Sequence, residues 1–139
     1  MRVLVDLNVV LDVLLERRPQ YAASAATWSA VERGVIEGVL PAHAVTTLYY
    51  LIRQNSGNAS ARRIVSTILG VFQIAPVDGS IILEATRLSC NDFEDAVAAA
   101  AGRAAGCEMI ITRDPKGFHG SPIRVMTPEA AAPIYPRIP

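Results

Sequence analysis

Five short apolar bursts, most of them separated by segments with helical punctuation, constrain this chain more than any other feature. They are Arg2 to Val5, Val39-Leu40, Val71 to Val77 (VFQIAPV), Met109 to Thr112 (MIIT) and Ile123 to Met126 (IRVM). The first ends abruptly at Asp6, and such unalternated bursts read as strands buried on both faces. Strands of that kind alternating with helices imply a parallel sheet. The expectation is an α/β fold of three layers, α/β/α, with a mainly parallel central sheet of about five strands flanked by helices.

The intervening segments carry helix signals. Val9 to Glu16 stops before Arg18-Pro19, since a residue preceding proline disfavours the α region. Tyr21 to about Arg33 follows, and then Pro41 opens Ala42 to Arg53, which the loop QNSGN closes. Ser60 is the expected N-cap of a helix to about Leu69, and Asp78 or Ser80 that of a helix to about Ser89. Asn91 or Asp92 caps the last long helix, Phe93 to Ala105, with Gly106 as its left-handed C-terminal residue. The tail AAAPIYPRIP reads as an irregular strap.

A chain of 139 residues without linker or repeat is expected to form a single domain, 1–139. Its 51% hydrophobic content excludes disorder, and its Ala points to close helix packing through small side chains. Thirteen Lys and Arg balance thirteen Asp and Glu, so no global positive field draws it onto DNA or a membrane. Cys90 and Cys107 form neither a disulfide scaffold nor a thiolate zinc cage, which suits a reducing, cytoplasmic setting. The apolar N-terminus is interrupted by Asp6, Asn8 and Asp12 and does not read as a signal peptide, and no stretch approaches the roughly 18 apolar residues of a membrane span.

Parallel α/β sheets place ligands outside the carboxyl ends of their strands, and acids concentrate there. Asp6 follows the first burst, Asp114 follows MIIT, and Asp92 and Asp95 fall on the first turn of the helix feeding that strand. Converging carboxylates repel one another and make electrostatic sense with a bound cation; Mg²⁺ takes hard oxygen ligands and needs only one or two carboxylates besides water and substrate oxygens. Bland roles stand beside this. Asp92 serves equally as an N-cap with Asp95 three residues on, and Asp114 as a turn aspartate before Pro115. Asp6 is harder to explain so, because a charge closing a buried strand is costly unless paired or metal-bound. Asp12 reads as a surface residue or one that supports the site from behind. Arg113 and Lys116 are the basic residues nearest the acids and the candidates for phosphate contact. His43, Thr47 and Tyr50 share a helix face that either borders the cleft or packs on a neighbour.

The segments VDLNVVLD, EDAVAAAA and IITRDPKGF resemble the PIN domain, in particular compact VapC-type toxin ribonucleases with a DFEDA segment, here Asp92 to Ala96. The resemblance covers nearly the whole chain and implies a Mg²⁺- or Mn²⁺-dependent endoribonuclease. Asp6, Asp95 and Asp114 match the family's metal-binding and catalytic acids, and Asn8 the polar residue two after the first aspartate. Where the family's T-L-x-E pattern puts glutamate, Thr47-Leu48-Tyr49-Tyr50 puts tyrosine, and Asp92, or else Glu94, is the candidate to supply the missing carboxylate. The likeness further implies a structured RNA substrate such as tRNA or rRNA, a small antitoxin partner, a homodimer and no membrane association. Its alternative is a catalytically weakened PIN module that binds RNA or a protein partner. With cations bound among the acids, the face offered to RNA would be more positive than the zero net charge suggests.

Overall fold

The computed structural model describes residues 1–136. In chain order it comprises β1 (Arg2–Val5), α1 (Leu7–Leu14), α2 (Tyr21–Glu32), β2 (Glu37–Pro41), α3 (Ala42–Ser56), α4 (Asn58–Val71) and β3 (Gln73–Ala75). Then come α5 (Gly79–Ala85), α6 (Phe93–Ala104), β4 (Met109–Ile111), a 3₁₀ turn at Pro115–Phe118, β5 (Arg124–Met126) and α7 (Pro128–Ala131), which ends in a 3₁₀ turn at Ala132–Ile134. The five strands run in the order β3-β2-β1-β4-β5, and every neighbouring pair is parallel. The expected α/β sheet is thus present, with each apolar burst contributing one strand.

Alternate residues of the buried strands divide between two cores. Val3, Val5, Leu40, Met109 and Ile111 pack with α1 to α4 and α7, while Leu4, Val39 and Ile110 face α5 and α6 on the other side. β1 lies between β2 and β4 and is buried from Val3 to Val5, so there it carries apolar side chains on both faces without alternation. The small face of α6 explains the second layer. Ala96 to Gly102 are all buried, and a Cβ on Gly102 would stand 3.1 Å from Leu4 Cδ2, so the helix lies closer to the sheet than larger side chains would permit.

Several boundaries differ from expectation for identifiable reasons. Ser60 lies inside α4 instead of capping it; Gly57, with φ +83°, breaks the chain between α3 and α4. Consequently α3 extends into the predicted loop as far as Ser56, and α4 takes up Asn58 at the loop's end and Val71 from the predicted third strand. Asp78, and not Ser80, caps α5 by accepting from the Ile81 N–H at 3.1 Å, and α5 ends earlier than expected, at Ala85. Gly106 does take the left-handed conformation, at φ +79°. The tail begins as helical turns instead of an irregular strap, with Tyr135 Oη 2.9 Å from Thr27 Oγ1 of α2; residues 137–139 of the predicted strap lie outside the described residues.

Candidate acidic cleft

A cavity of about 250 Å³ opens at the carboxyl ends of β1, β2 and β4. Its lining includes Asp6, Asn8, Asp92, Glu94, Asp95 and Asp114, together with His43 and Thr47 of α3. The four aspartates anticipated at the mouth of the sheet therefore border one space.

Asp6 and Asp114 owe their relative placement to Thr112. Asp6 directly follows β1, and its backbone N–H donates to the Ile111 carbonyl of β4 at 2.9 Å. Asp6 occupies the N-cap position of α1, yet its carboxylate caps nothing. Instead Oδ2 accepts a hydrogen bond from Thr112 Oγ1 at 2.7 Å, while that same oxygen accepts from the Asp114 backbone N–H at 3.1 Å. Thr112 is completely buried, so one fixed hydroxyl ties the ends of two neighbouring strands together. In the sequence this threonine stands out only as the end of the MIIT strand.

Asp95 enters from the first turn of α6, and Asp92, at the N-cap, accepts from the Asp95 backbone N–H at 3.1 Å. The capping role of Asp92 is therefore real, and its carboxylate also borders the cavity. Burial is the main cause that pushes the Asp95 carboxyl up to about 6, and the negative charges of Asp6, Asp92, Asp114 and Glu94 add to it. Asp6 is raised as well, chiefly by burial, against the lowering effects of Thr112, the Leu7 backbone and the Arg113 charge. Gly117, in the 3₁₀ turn after Asp114, leaves a cradle for this group. A Cβ there would overlap Asp95 Oδ2 and come within 3.6 Å of Asp114 Oδ2.

The α3 side of the cleft corrects the expectation for Tyr50. Thr47 and His43 reach the cavity, whereas Tyr50 is 59% exposed and stacks edge-on against Tyr49. The α3 position facing the acids is held by threonine. Beside it, burial lowers the His43 pKa, opposed by the nearby Glu94 charge and backbone.

Arg113 does not extend into the cleft. Its Nε lies 2.8 Å from Asp12 Oδ2, and Asp12 is completely buried, neither on the surface nor in the cavity lining. Ser24 Oγ of α2 donates to the same carboxylate oxygen at 3.0 Å, and Arg17 Nη1 stands 4.0 Å from the other. This buried network went unread in the sequence because its members are scattered over α1, α2 and the loop after β4. Lys116 and Asn8 are exposed, Asn8 on the cavity wall.

Among the described residues, no three His, Cys, Asp or Glu side chains stand close enough together to hold an ion by themselves. The donor set nevertheless fits a hard cation, which keeps several waters and needs few carboxylates, and the Gly117 cradle leaves the Asp95 and Asp114 oxygens uncovered by side chain. No helix among the described residues is long and apolar enough to cross a membrane.

Comparison with known proteins agrees with this architecture. Ribonuclease VapC1 of Aquifex aeolicus (strain VF5) is 24% identical over 133 residues, covering 92% of this chain and 91% of that protein. The structure of VapBC-1 from nontypeable Haemophilus influenzae superposes with a TM-score of 0.70 at 13% identity, over 93% of this chain and 99% of the other. A toxin-antitoxin complex from Klebsiella pneumoniae gives 0.67 at 20% identity, over 91% and 97%. Both solved structures share the fold. A family model described as the PIN domain matches residues 2–116, and with the strand order, the cleft and its acids already in view, the chain belongs to the PIN domain family.

Proposed function

We propose that this chain is a metal-dependent endoribonuclease that hydrolyses RNA phosphodiester bonds, and the toxin of a toxin-antitoxin pair. The observation that carries the reading is the convergence of Asp6, Asp95 and Asp114 on one cavity at the strand ends of a PIN domain. The similarity to Ribonuclease VapC1 supports the reaction class, and the shared fold with a toxin-antitoxin complex supports an antitoxin partner.

Asp6, Asp95 and Asp114 would hold Mg²⁺ or Mn²⁺, with Asp92 at the rim. Bound there, the cation supplies the Lewis acidity that activates a water and stabilises the departing oxygen. The protein's own groups prepare the place. Thr112 fixes the Asp6 carboxylate, Gly117 leaves room for Asp95, and burial first, with the neighbouring negative charges second, raises the Asp95 pKa, a penalty on its charged form that a cation would relieve. Asn8 and Lys116 are the side chains assigned to contact substrate; Arg113 is held elsewhere. The reading extends to a homodimer, to a single domain over 1–139, to a structured RNA such as tRNA or rRNA and to a cytoplasmic setting, as the family resemblance implies.

The test is cleavage of structured RNA with Mg²⁺ or Mn²⁺ by the wild type and by Asp6→Asn and Asp95→Asn, with circular dichroism to verify folding. Both variants should be folded and inactive. Undiminished metal-dependent cleavage by folded Asp6→Asn would sink the assignment.

A further inference from the structure

We propose that Asp12 is a positioning residue for the acidic cleft, one that holds the Arg113 guanidinium and so keeps this built-in cation from occupying Asp6 and Asp114, whose oxygens a divalent cation needs. The inference rests on reading the cleft as a divalent-cation site. Burying a carboxylate costs several kcal/mol unless it is compensated, and Asp12 is completely buried with Arg113 Nε at 2.8 Å, Ser24 Oγ at 3.0 Å and Arg17 Nη1 at 4.0 Å. Arg113 is flanked by Thr112, which donates to Asp6, and by Asp114, so its side chain departs from the middle of the site. Its charge is felt by Asp6 even from the Asp12 side.

Guanidinium pairs bidentately with carboxylates, so an arginine released at this point would compete for the very oxygens a metal would take. Charge, more than alignment, holds it back: Arg113 Nε and Asp12 Oδ1 each lack a well-directed hydrogen-bond partner. A guanidinium held mainly by charge is free to move when that charge is removed. A purely structural brace between α1, α2 and the loop would behave otherwise, because breaking it from either side would be equally damaging.

Three proteins distinguish these roles: Asp12→Asn, Arg113→Gln and the double variant, each studied by Mn²⁺ calorimetry and in crystals grown without divalent cation. Asp12→Asn should bind Mn²⁺ about tenfold or more weakly, and its cation-free crystals should show the guanidinium on Asp6 or Asp114. The double variant, which removes both charges and leaves no unpaired Asp12–Arg113 partner, should return to within about threefold of wild-type affinity. Folded Asp12→Asn with wild-type Mn²⁺ affinity overturns the proposal, as does a double variant as weak as the single one. So does a guanidinium that stays beside residue 12 in the cation-free Asp12→Asn crystal. If Asp12→Asn does not fold, the double variant decides: wild-type-like affinity supports the proposal and a tenfold loss overturns it. A wild type that binds no Mn²⁺ removes the functional reading instead, and the crystal of Asp12→Asn then decides this inference alone.

Discussion

Thr112 Oγ1 donates to Asp6 Oδ2 at 2.7 Å from a completely buried position, at the junction of two strands whose pairing is the centre of the sheet. A hydrogen bond to a charged group contributes about 1.5–3 kcal/mol, and here the same oxygen also satisfies the Asp114 N–H. Thr112→Val should therefore cost about 2–3 kcal/mol in urea unfolding and weaken Mn²⁺ binding. Thr112→Ser keeps the hydroxyl and should cost only about 1 kcal/mol for the lost methyl. Equal losses from the two variants would show that the methyl, and not the hydroxyl, is what matters.

Asp95 makes the metal-free protein sensitive to pH in a definite direction. Its folded pKa is about 6 against an ordinary 3.8, so between those values the native state holds more proton than the unfolded chain. Its contribution favours folding at low pH and is lost as pH rises through about 6. Asp95→Asn should flatten that part of the stability profile, and saturating Mn²⁺ at pH 7 should stabilise the wild type by about 2.7 kcal/mol at a hundredfold excess over Kd. Urea unfolding across this pH range, with and without Mn²⁺, checks both. An unchanged slope in Asp95→Asn would mean that another group titrates.

Gly117 is needed for space and not for backbone freedom, since its φ is not positive. Gly117→Ala should fold, yet displace the Asp95 carboxylate, lowering Mn²⁺ affinity and RNA cleavage together. Calorimetry and a cleavage assay on the folded variant measure this; wild-type values for both would show that Asp95 has room to turn aside.

Thr47→Glu should place a carboxylate in the cleft and strengthen Mn²⁺ binding, whereas Tyr50→Glu, on the exposed side, should leave affinity within about threefold. Parallel calorimetry of the two variants separates the positions. The reverse outcome would return the missing acid to residue 50.

The close seat of α6 predicts intolerance to added bulk. Ala99 is completely buried, and Ala99→Leu should destabilise the protein by about 1–3 kcal/mol in denaturant unfolding. A neutral result would mean that the helix can lift off the sheet without loss.

The parts of the site readable in the sequence were those carried by local pattern. Asp6 and Asp114 stand at the ends of apolar bursts, and Asp95 at the head of the alanine-rich helix that feeds β4, so local pattern alone was enough to anticipate that all three would border one cavity. Tyr50 shares a helix face with His43 but lies about 10 Å farther along the axis, outside the cavity that His43 and Thr47 line. Asp12 was unreadable for a different reason. A carboxylate on a helix ordinarily faces water, and its partners Ser24 and Arg113 come from α2 and from the loop after β4, a meeting that no spacing rule anticipates. At Ser60 a good capping residue lost to Gly57, whose positive φ broke the helix earlier.

The parallel pairing of β1 with β4 also sets a timetable. Asp6 is made well before Asp114, and they meet only when Val5 docks beside Ile111. A ribosome-bound fragment ending before β4 would carry Asp6 and even Asp95 without the strand that supplies Thr112 and Asp114. A cleft built this way is incomplete until β4 and the loop after it have joined the sheet, so its acids come together in one late folding step and not by gradual accretion.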